Sequence, residues 1–321
     1  MLKSRSTTPI GFRHVISRRA FIAAAAVVAS GCLRNGTDGR IRLAAGDPGG
    51  MYLAFAKVLA TQIQANHPGL AVDVLPTEGT VENLARLRAG EADMGLSLAD
   101  VAERDRVTGP PATAPLAVAR VYENYLQVIV RDSGAVQRLS DLEGRRVSIG
   151  PAGSGGAMTS EVLFEAAGLR GRVDIVRYRL RDGLAGLADN SLDAIVWSGG
   201  VPTPAIAELD TRLPLRMLDI GALAVPMSDL AGYPYVVRRV PSGDYVPPGT
   251  RSLGVPNLLL CRNDIAADLV SAVVEVLVTA APHLVPPNVR GLQYLDAPSM
   301  IQTGLIPLDP AAVQAFRGLH G

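Results

Sequence analysis

The order strand, glycine-rich loop, helix, strand, helix, strand occurs twice in this chain, at an offset of about 100 residues. In the first copy, residues 40–45 alternate as a strand and "GDPGG" follows. Tyr52, Phe55, Leu59 and Ile63 then recur at helical spacing up to the breaker His67-Pro68-Gly69. Residues 70–75 read as a strand, Thr80 caps a helix over 81–89 that Gly90 stops, and 93–98 read as a short strand. The second copy comprises a strand at 146–149, a glycine loop at 150–156, a helix over 157–167, a strand at 173–178, a helix over 183–188 and a strand at 194–197. Leu84/Leu184, Ala85/Ala185, Leu87/Leu187 and Asp93/Asp193 match at constant offset. Any two amphipathic helix–turn–strand units share some of that likeness, so the repeated order carries the argument. Strands that alternate with helices imply an α/β fold, here with two parallel sheets, one in each lobe.

The two loops have neither the lysine of a phosphate loop nor the full glycine spacing of a dinucleotide fingerprint. In an open parallel sheet the loops leaving the carboxyl ends of the strands form the binding crevice. A helix that starts there points unpaired N–H groups into it. Gly46, Gly49 and Gly50 in one loop, and Gly153, Gly155 and Gly156 in the other, let a ligand approach that backbone closely. An anion there gains about 0.3–2 kcal/mol from the helix dipole. The plain alternative is a pair of tight turns that contact nothing. Their matched positions, each after the first strand of its repeat, favour binding.

The first 31 residues hold five basic side chains, no acid, and a short apolar run from Ala20 to Val28. This pattern is that of an export signal, too short to span a bilayer comfortably. Ser17-Arg18-Arg19-Ala20-Phe21-Ile22 looks like a twin-arginine signal, and Val28-Ala29-Ser30-Gly31-Cys32 resembles a bacterial lipobox. Cys32 is then the lipidated first residue of an extracytoplasmic chain anchored to the cell membrane, with residues 32–39 as a tether. An ordinary Sec signal or an uncleaved anchor is the other reading. Removing the signal takes 31 basic residues to 26 against 30 acidic ones, a net charge of about −4, which gives nucleic acid no footing. Only Cys261 remains besides Cys32, so no internal disulfide is available. The apolar stretch 265–281 is interrupted by Asp268 and Glu275, which suits a buried amphipathic helix.

Gly49-Gly50-Met51-Tyr52, "TEGTVENLARLRAGEADMGL" from Thr77, "DLEGRRVSIGPAGSGG" from Asp141, "LDAIVWSGGVPTPAIAEL" from Leu192, "VPSGDYVPPG" from Val240, "VPNLLLCRNDI" from Val255 and "PLDP" from Pro307 occur in order. This series resembles the TAXI family, the extracytoplasmic solute receptors of tripartite ATP-independent periplasmic (TRAP) transporters. The resemblance implies a two-lobed, type II periplasmic-binding-protein fold with two hinge strands, near 125–130 and 254–260. It implies lobe 1 over 40–127 plus 256–321 and lobe 2 over 128–255. It also implies a monomer without cofactor or metal that closes on a small anionic organic solute, an amino acid or 2-oxoacid, and delivers it to a TRAP permease in the membrane. A receptor reporting its ligand to a membrane kinase is the alternative partner.

Departures from the family pattern bear on the ligand. Met51 stands where Thr or Ser is frequent, the second loop ends in Gly156 where Thr is usual, Leu98-Ala99-Asp100 replaces Gln-Ser-Asp, and Asp309 replaces a His. Lost polar groups point to a less polar solute than glutamate, or one oriented mainly by backbone. Ligand-binding candidates are Gly49, Gly50, Met51, Tyr52, Thr80, Asn83, Ser154, Gly155, Gly156, Trp197 and Gly200. Tyr52 and Trp197 suit core packing equally well, and capping alone accounts for Thr80. Arg120, Arg131, Arg177 and Arg181 are candidates for a ligand carboxylate, among which the sequence does not choose. Ala152-Gly153-Ser154-Gly155-Gly156 approaches a nucleophile elbow, but neither an oxyanion motif nor a persuasive acid partner accompanies it, which makes a serine hydrolase through Ser154 a remote reading. The four histidines are scattered without metal-ligand spacing.

Overall fold

Glycine and proline breaks in the hydrophobic periodicity mark where the folded elements end. The computed structural model describes residues 37–48, 50–285 and 296–320. The expected export signal, Cys32, most of the expected tether and Gly49 lie outside the described residues. The chain begins with β1 (Gly39–Ala44), α1 (Met51–Asn66), β2 (Leu70–Leu75), α2 (Thr80–Arg88), β3 (Met94–Leu98) and α3 (Ala99–Thr108). A long strand, β4 (Leu116–Arg131), leads into β5 (Arg146–Ser148), α4 (Gly155–Ala166), β6 (Asp174–Val176), α5 (Leu180–Ala188) and β7 (Ala194–Gly199). After α6 (Pro204–Asp210), β8 (Leu215–Met217), α7 (Ala224–Ala231) and β9 (Val236–Arg239), the chain returns along β10 (Arg251–Cys261). It then adds α8 (Ala267–Thr279), α9 (Ala297–Met300) and α10 (Pro310–His320).

The strands pair in the order β2-β1-β3-β10-β4-β7-β5-β6, with β8 beside β4 and β9 beside β10. Within each repeat the first strand lies parallel to the other two: β1 between β2 and β3, β5 between β6 and β7. Each half keeps its parallel group, and one hydrogen-bonded path through β10 and β4 joins the two groups into a single sheet. The reason is the length of the two crossing strands, 16 residues for β4 and 11 for β10. At about 3.3 Å per residue, β4 spans roughly 50 Å, enough to serve both halves. Tyr125 shows the handover, pairing with Gly254 on one side and Gly199 on the other. The segments 125–130 and 254–260 thus lie on these crossing strands.

The repeat is structural as well as sequential. Asp93 and Asp193 occupy equivalent places at the entry to the third strand, where their carboxylates accept from the first strand, from Arg42 N at 2.9 Å and Arg146 N at 3.0 Å. Gly90 and Asn190, also 100 positions apart, both take left-handed backbone (φ 69° and 64°) to end their helices; glycine and asparagine tolerate that region best. Leu87 and Leu187 are both buried beneath those turns.

Core packing follows the expected periodicities. Phe55, Leu59 and Ile63 of α1 pack with Ile41 and Leu43 of β1 and with Val273 and Leu277 of α8. In the second half, Leu180, Leu184 and Leu187 pack with Ile195 and Tyr245. Each such side chain contributes about 1.5–3 kcal/mol by leaving water. A further cluster takes residues from both halves, Leu84 and Leu98 together with Val147 and Phe164. That cluster packs α2 and α3 of the first half against α4 of the second.

Candidate functional site

Both glycine loops line one cavity of about 570 Å³, counting its open mouth. Gly50, Met51 and Tyr52 contribute from the first loop, and Ser154, Gly155 and Gly156 from the second. At the start of α1, Gly50 is the cap residue in extended backbone, with no side-chain cap and no acid in the first turn. At α4 the cap is Ser154, whose Oγ accepts from Ala157 N at 3.1 Å, again with no acid in the first turn. First-turn amides of both helices have no intrahelical acceptor, so two positive helix ends border the same cavity. The start of α2 is different: Val81 and Glu82 donate their backbone N–H to the Gly153 carbonyl, at 3.0 and 3.2 Å, across the two halves. Gly79 caps that helix at φ 120°, a conformation open to glycine.

The glycines serve close approach. A Cβ on Gly155 would stand 2.7 Å from Thr80 Oγ1 and 2.9 Å from Leu98 Cδ1, and one on Gly46 would stand 2.8 Å from Tyr52 Cβ. Gly50 faces the Trp197 ring, 3.8 Å from where its Cβ would be. Across this gap each half presents glycine to a side chain of the other.

Eight of the eleven ligand-binding candidates line the cavity; Gly49 lies outside the described residues. Thr80 lines the cavity but does not cap α2. Its Oγ1 accepts from Leu98 N at 3.1 Å and shares a 3.1 Å hydrogen bond with Tyr52 OH. Asn83 and Gly200 do not line the cavity. Asn83 is fully buried, its Nδ2 donating to the Ala45 and Leu96 carbonyls at 2.6 and 2.7 Å and its Oδ1 accepting from Thr77 Oγ1 at 2.7 Å. That triple engagement ties α2 to β1 and β3 and leaves nothing for a solute. The Gly200 carbonyl is occupied by Gln127 Nε2 and Thr203 Oγ1, at 3.2 and 2.8 Å.

None of the four candidate arginines lines the cavity. Arg120 pairs with Glu123, Arg177 with Glu161, Arg131 donates to the Leu187 and Leu192 carbonyls, and Arg181 is exposed. The arginine at the rim is Arg179, which bridges the halves by pairing with Asp47 at 3.2 Å and with Glu78. In the sequence it is one of three arginines at alternate positions, Arg177, Arg179 and Arg181, and only the geometry of the β6 exit distinguishes them.

Sequence reasoning also missed Asp47, Glu78 and Asn124, all of which line the cavity. Asp47 flanks the recognised Gly46 and was legible by position; Glu78, before Gly79, and Asn124, in the middle of a buried strand, had no signal. Burial pushes the Asp47 carboxyl above its ordinary value, with Arg179 opposing. Burial likewise raises the Tyr52 hydroxyl far above the usual tyrosine range, so it remains a donor. Three buried polar atoms of the lining have no hydrogen-bond partner among the described residues: Trp197 Nε1, Asn124 Oδ1 and Glu78 Oε2.

A family model described as the NMT1-like family matches residues 43–318, almost the whole described chain. The chain belongs to the NMT1-like family. Solved structures with similar folds include Tv2483 bound to L-arginine, at 13% identity and TM-score 0.52, covering 80% of this chain and 93% of that one. Another is the periplasmic binding protein BugD, at 14% identity and TM-score 0.50, covering 74% and 81%. At such identities the likeness concerns the fold: the two halves are the lobes of a type II periplasmic-binding-protein fold, crossed by β4 and β10.

In this NMT1-like chain the positions that depart from the TAXI pattern have separate structural roles. Leu98 lines the cavity. Asp100 does not; its buried carboxylate accepts from Thr159 Oγ1 of α4 and from Tyr235 OH, both at 2.8 Å, and so links the halves away from the cavity. Asp309 caps α10, accepting from Ala311 N at 2.8 Å. Ser154 Oγ is engaged as a helix cap, and no histidine lines the cavity among the described residues. No cluster of three metal-ligating side chains occurs among the described residues, and no described helix is long and apolar enough to cross a membrane.

Proposed function

We propose that the chain is a non-enzymatic, extracytoplasmic solute receptor, anchored through lipidated Cys32, that captures a small organic acid or amino acid between its lobes. The observation that carries this reading is the pair of glycine-opened helix starts, α1 and α4, bordering one cavity from opposite lobes. Two helix ends aimed at one volume favour a carboxylate, and the absence of an acid in either first turn leaves that positive potential uncompensated within the helices. Lobe 1 comprises 40–127 plus 256–321 and lobe 2 comprises 128–255, with closure by bending of β4 and β10 where they cross. Capture then favours the closed state only by the solute's greater affinity for it.

The ordered motifs shared with the TAXI family support delivery to a TRAP permease. The similar solved structures, among them an L-arginine complex and a periplasmic binding protein, support a receptor role. Recovery of a permease subunit in a pull-down from membranes supports delivery; recovery of a kinase replaces it with sensing.

The direct test is a thermal-shift screen over organic acids and amino acids, followed by small-angle scattering. The expected outcome is a one-to-one ligand that raises Tm and contracts the particle. A broad panel giving neither response contradicts the reading. Ser154 is expected to stay unlabelled by a fluorophosphonate probe, since a binding protein has no activated nucleophile there.

A further inference from the structure

Three residues of the cavity lining each hold a buried polar atom, one donor and two acceptors, without a hydrogen-bond partner among the described residues. Buried polar atoms are nearly always hydrogen-bonded, so three orphans in one lining call for an explanation. Trp197 Nε1 is a donor, and Gly199 has no Cβ where the indole nitrogen lies, 2.4 Å from the position a Cβ would take. Asn124 is 3% exposed; its Nδ2 donates to Ser198 Oγ at 3.3 Å while Oδ1 is left over as an acceptor. Glu78 pairs with Arg179 through Oε1, and its Oε2 is buried and unpartnered.

The charges of the lining point the same way. Among the described residues no lysine or arginine lines the cavity, whereas two carboxylates, Asp47 and Glu78, do. Both share the single guanidinium of Arg179 at the rim, so one negative charge is left uncompensated. A solute with only acidic groups meets the helix ends favourably and this wall unfavourably. A solute with an ammonium group as well satisfies both.

We infer that the solute is a zwitterion of the α-amino acid class, its carboxylate received by the first-turn amides of α1 and α4 with Trp197 Nε1, and its ammonium by Glu78 Oε2 and Asn124 Oδ1. This rests on the receptor reading above and deepens it: a 2-oxoacid, with no proton to offer Glu78, is the poorer ligand. Charge-assisted hydrogen bonds of this kind discriminate by about 10- to 100-fold.

Matched pairs test it, titrated calorimetrically into the whole exported protein: leucine against 4-methyl-2-oxopentanoate, and glutamate against 2-oxoglutarate. In at least one pair the amino acid is expected to bind about tenfold or more tightly than its oxoacid. Glu78→Gln keeps the side-chain length and a hydrogen bond for Arg179. It is expected to reduce that ratio to about threefold or less, with oxoacid affinity unchanged or improved and an unaltered circular dichroism spectrum. Oxoacids that bind as tightly as their amino acids in every pair that binds overturn this inference and leave the anion receptor standing. A ratio that survives Glu78→Gln overturns it too, by removing the ammonium partner. Binding by no member of either pair, nor by any member of the broader panel, overturns both.

Discussion

At Gly155 the lobes approach so closely that one methyl group decides whether they meet. A Cβ there would fall within 2.9 Å of both Thr80 and Leu98, atoms of the opposite lobe. Gly155→Val therefore burdens the closed arrangement and spares the open one. Overpacking of this kind costs about 1–3 kcal/mol, so solute affinity is expected to fall about 5- to 150-fold while Tm without solute is little changed. Calorimetry beside thermal melts checks this; an unchanged affinity contradicts the close approach. The same residue shows what was legible beforehand. Glycine at a strand–helix junction announces close approach, but not whether to ligand or protein, and here Gly46 and Gly155 make room for protein side chains. Asn83 misled for a related reason: a polar residue at the start of a cleft-side helix reads as a ligand group, yet three buried hydrogen bonds claim it.

At the scale of elements, the repeat rests on an aspartate at the entry to each third strand. Asp93 binds the Arg42 backbone and guanidinium and pairs with Arg262 at 3.2 Å. Burial alone would raise its carboxyl, but the hydrogen bonds and charges of the arginines outweigh this and hold it below the usual range. Because the folded value lies below the unfolded one, the stabilisation is complete above the usual carboxylate range and is lost as pH falls through the depressed value. Asp93→Asn is expected to cost about 1–3 kcal/mol near neutrality. Urea unfolding from neutral to strongly acidic pH should show that difference shrinking as Asp93 of the wild type is protonated; a pH-independent difference contradicts the assignment. Within the two repeats, element order and type were readable from periodicity and breakers, whereas α3, α6, α7, α10, β8 and β9 were not read. The continuity of the sheet was not, because it depends on how far β4 and β10 extend past each lobe, and a buried strand's hydrophobic run carries no mark of which neighbour it serves.

For the whole molecule, ties between the lobes away from the crossing strands include the Gly153 carbonyl on the start of α2, Asp100 with Thr159 and Tyr235, and Arg179 with Asp47 and Glu78. Arg179 is about half exposed, so its pairs are screened and contribute about 1 kcal/mol or less. Arg179→Ala is accordingly expected to speed solute release only a few-fold, with a loss of salt sensitivity, measured by stopped-flow; release unchanged in rate and salt response contradicts a rim tie. The central claim, that two helix starts from opposite lobes hold one solute, is tested most directly by a crystal structure with the tightest-binding member of the screening panel. The account predicts one solute whose carboxylate accepts from first-turn amides of both α1 and α4. Density for the solute elsewhere, or at one helix start with the other facing bulk water, contradicts it.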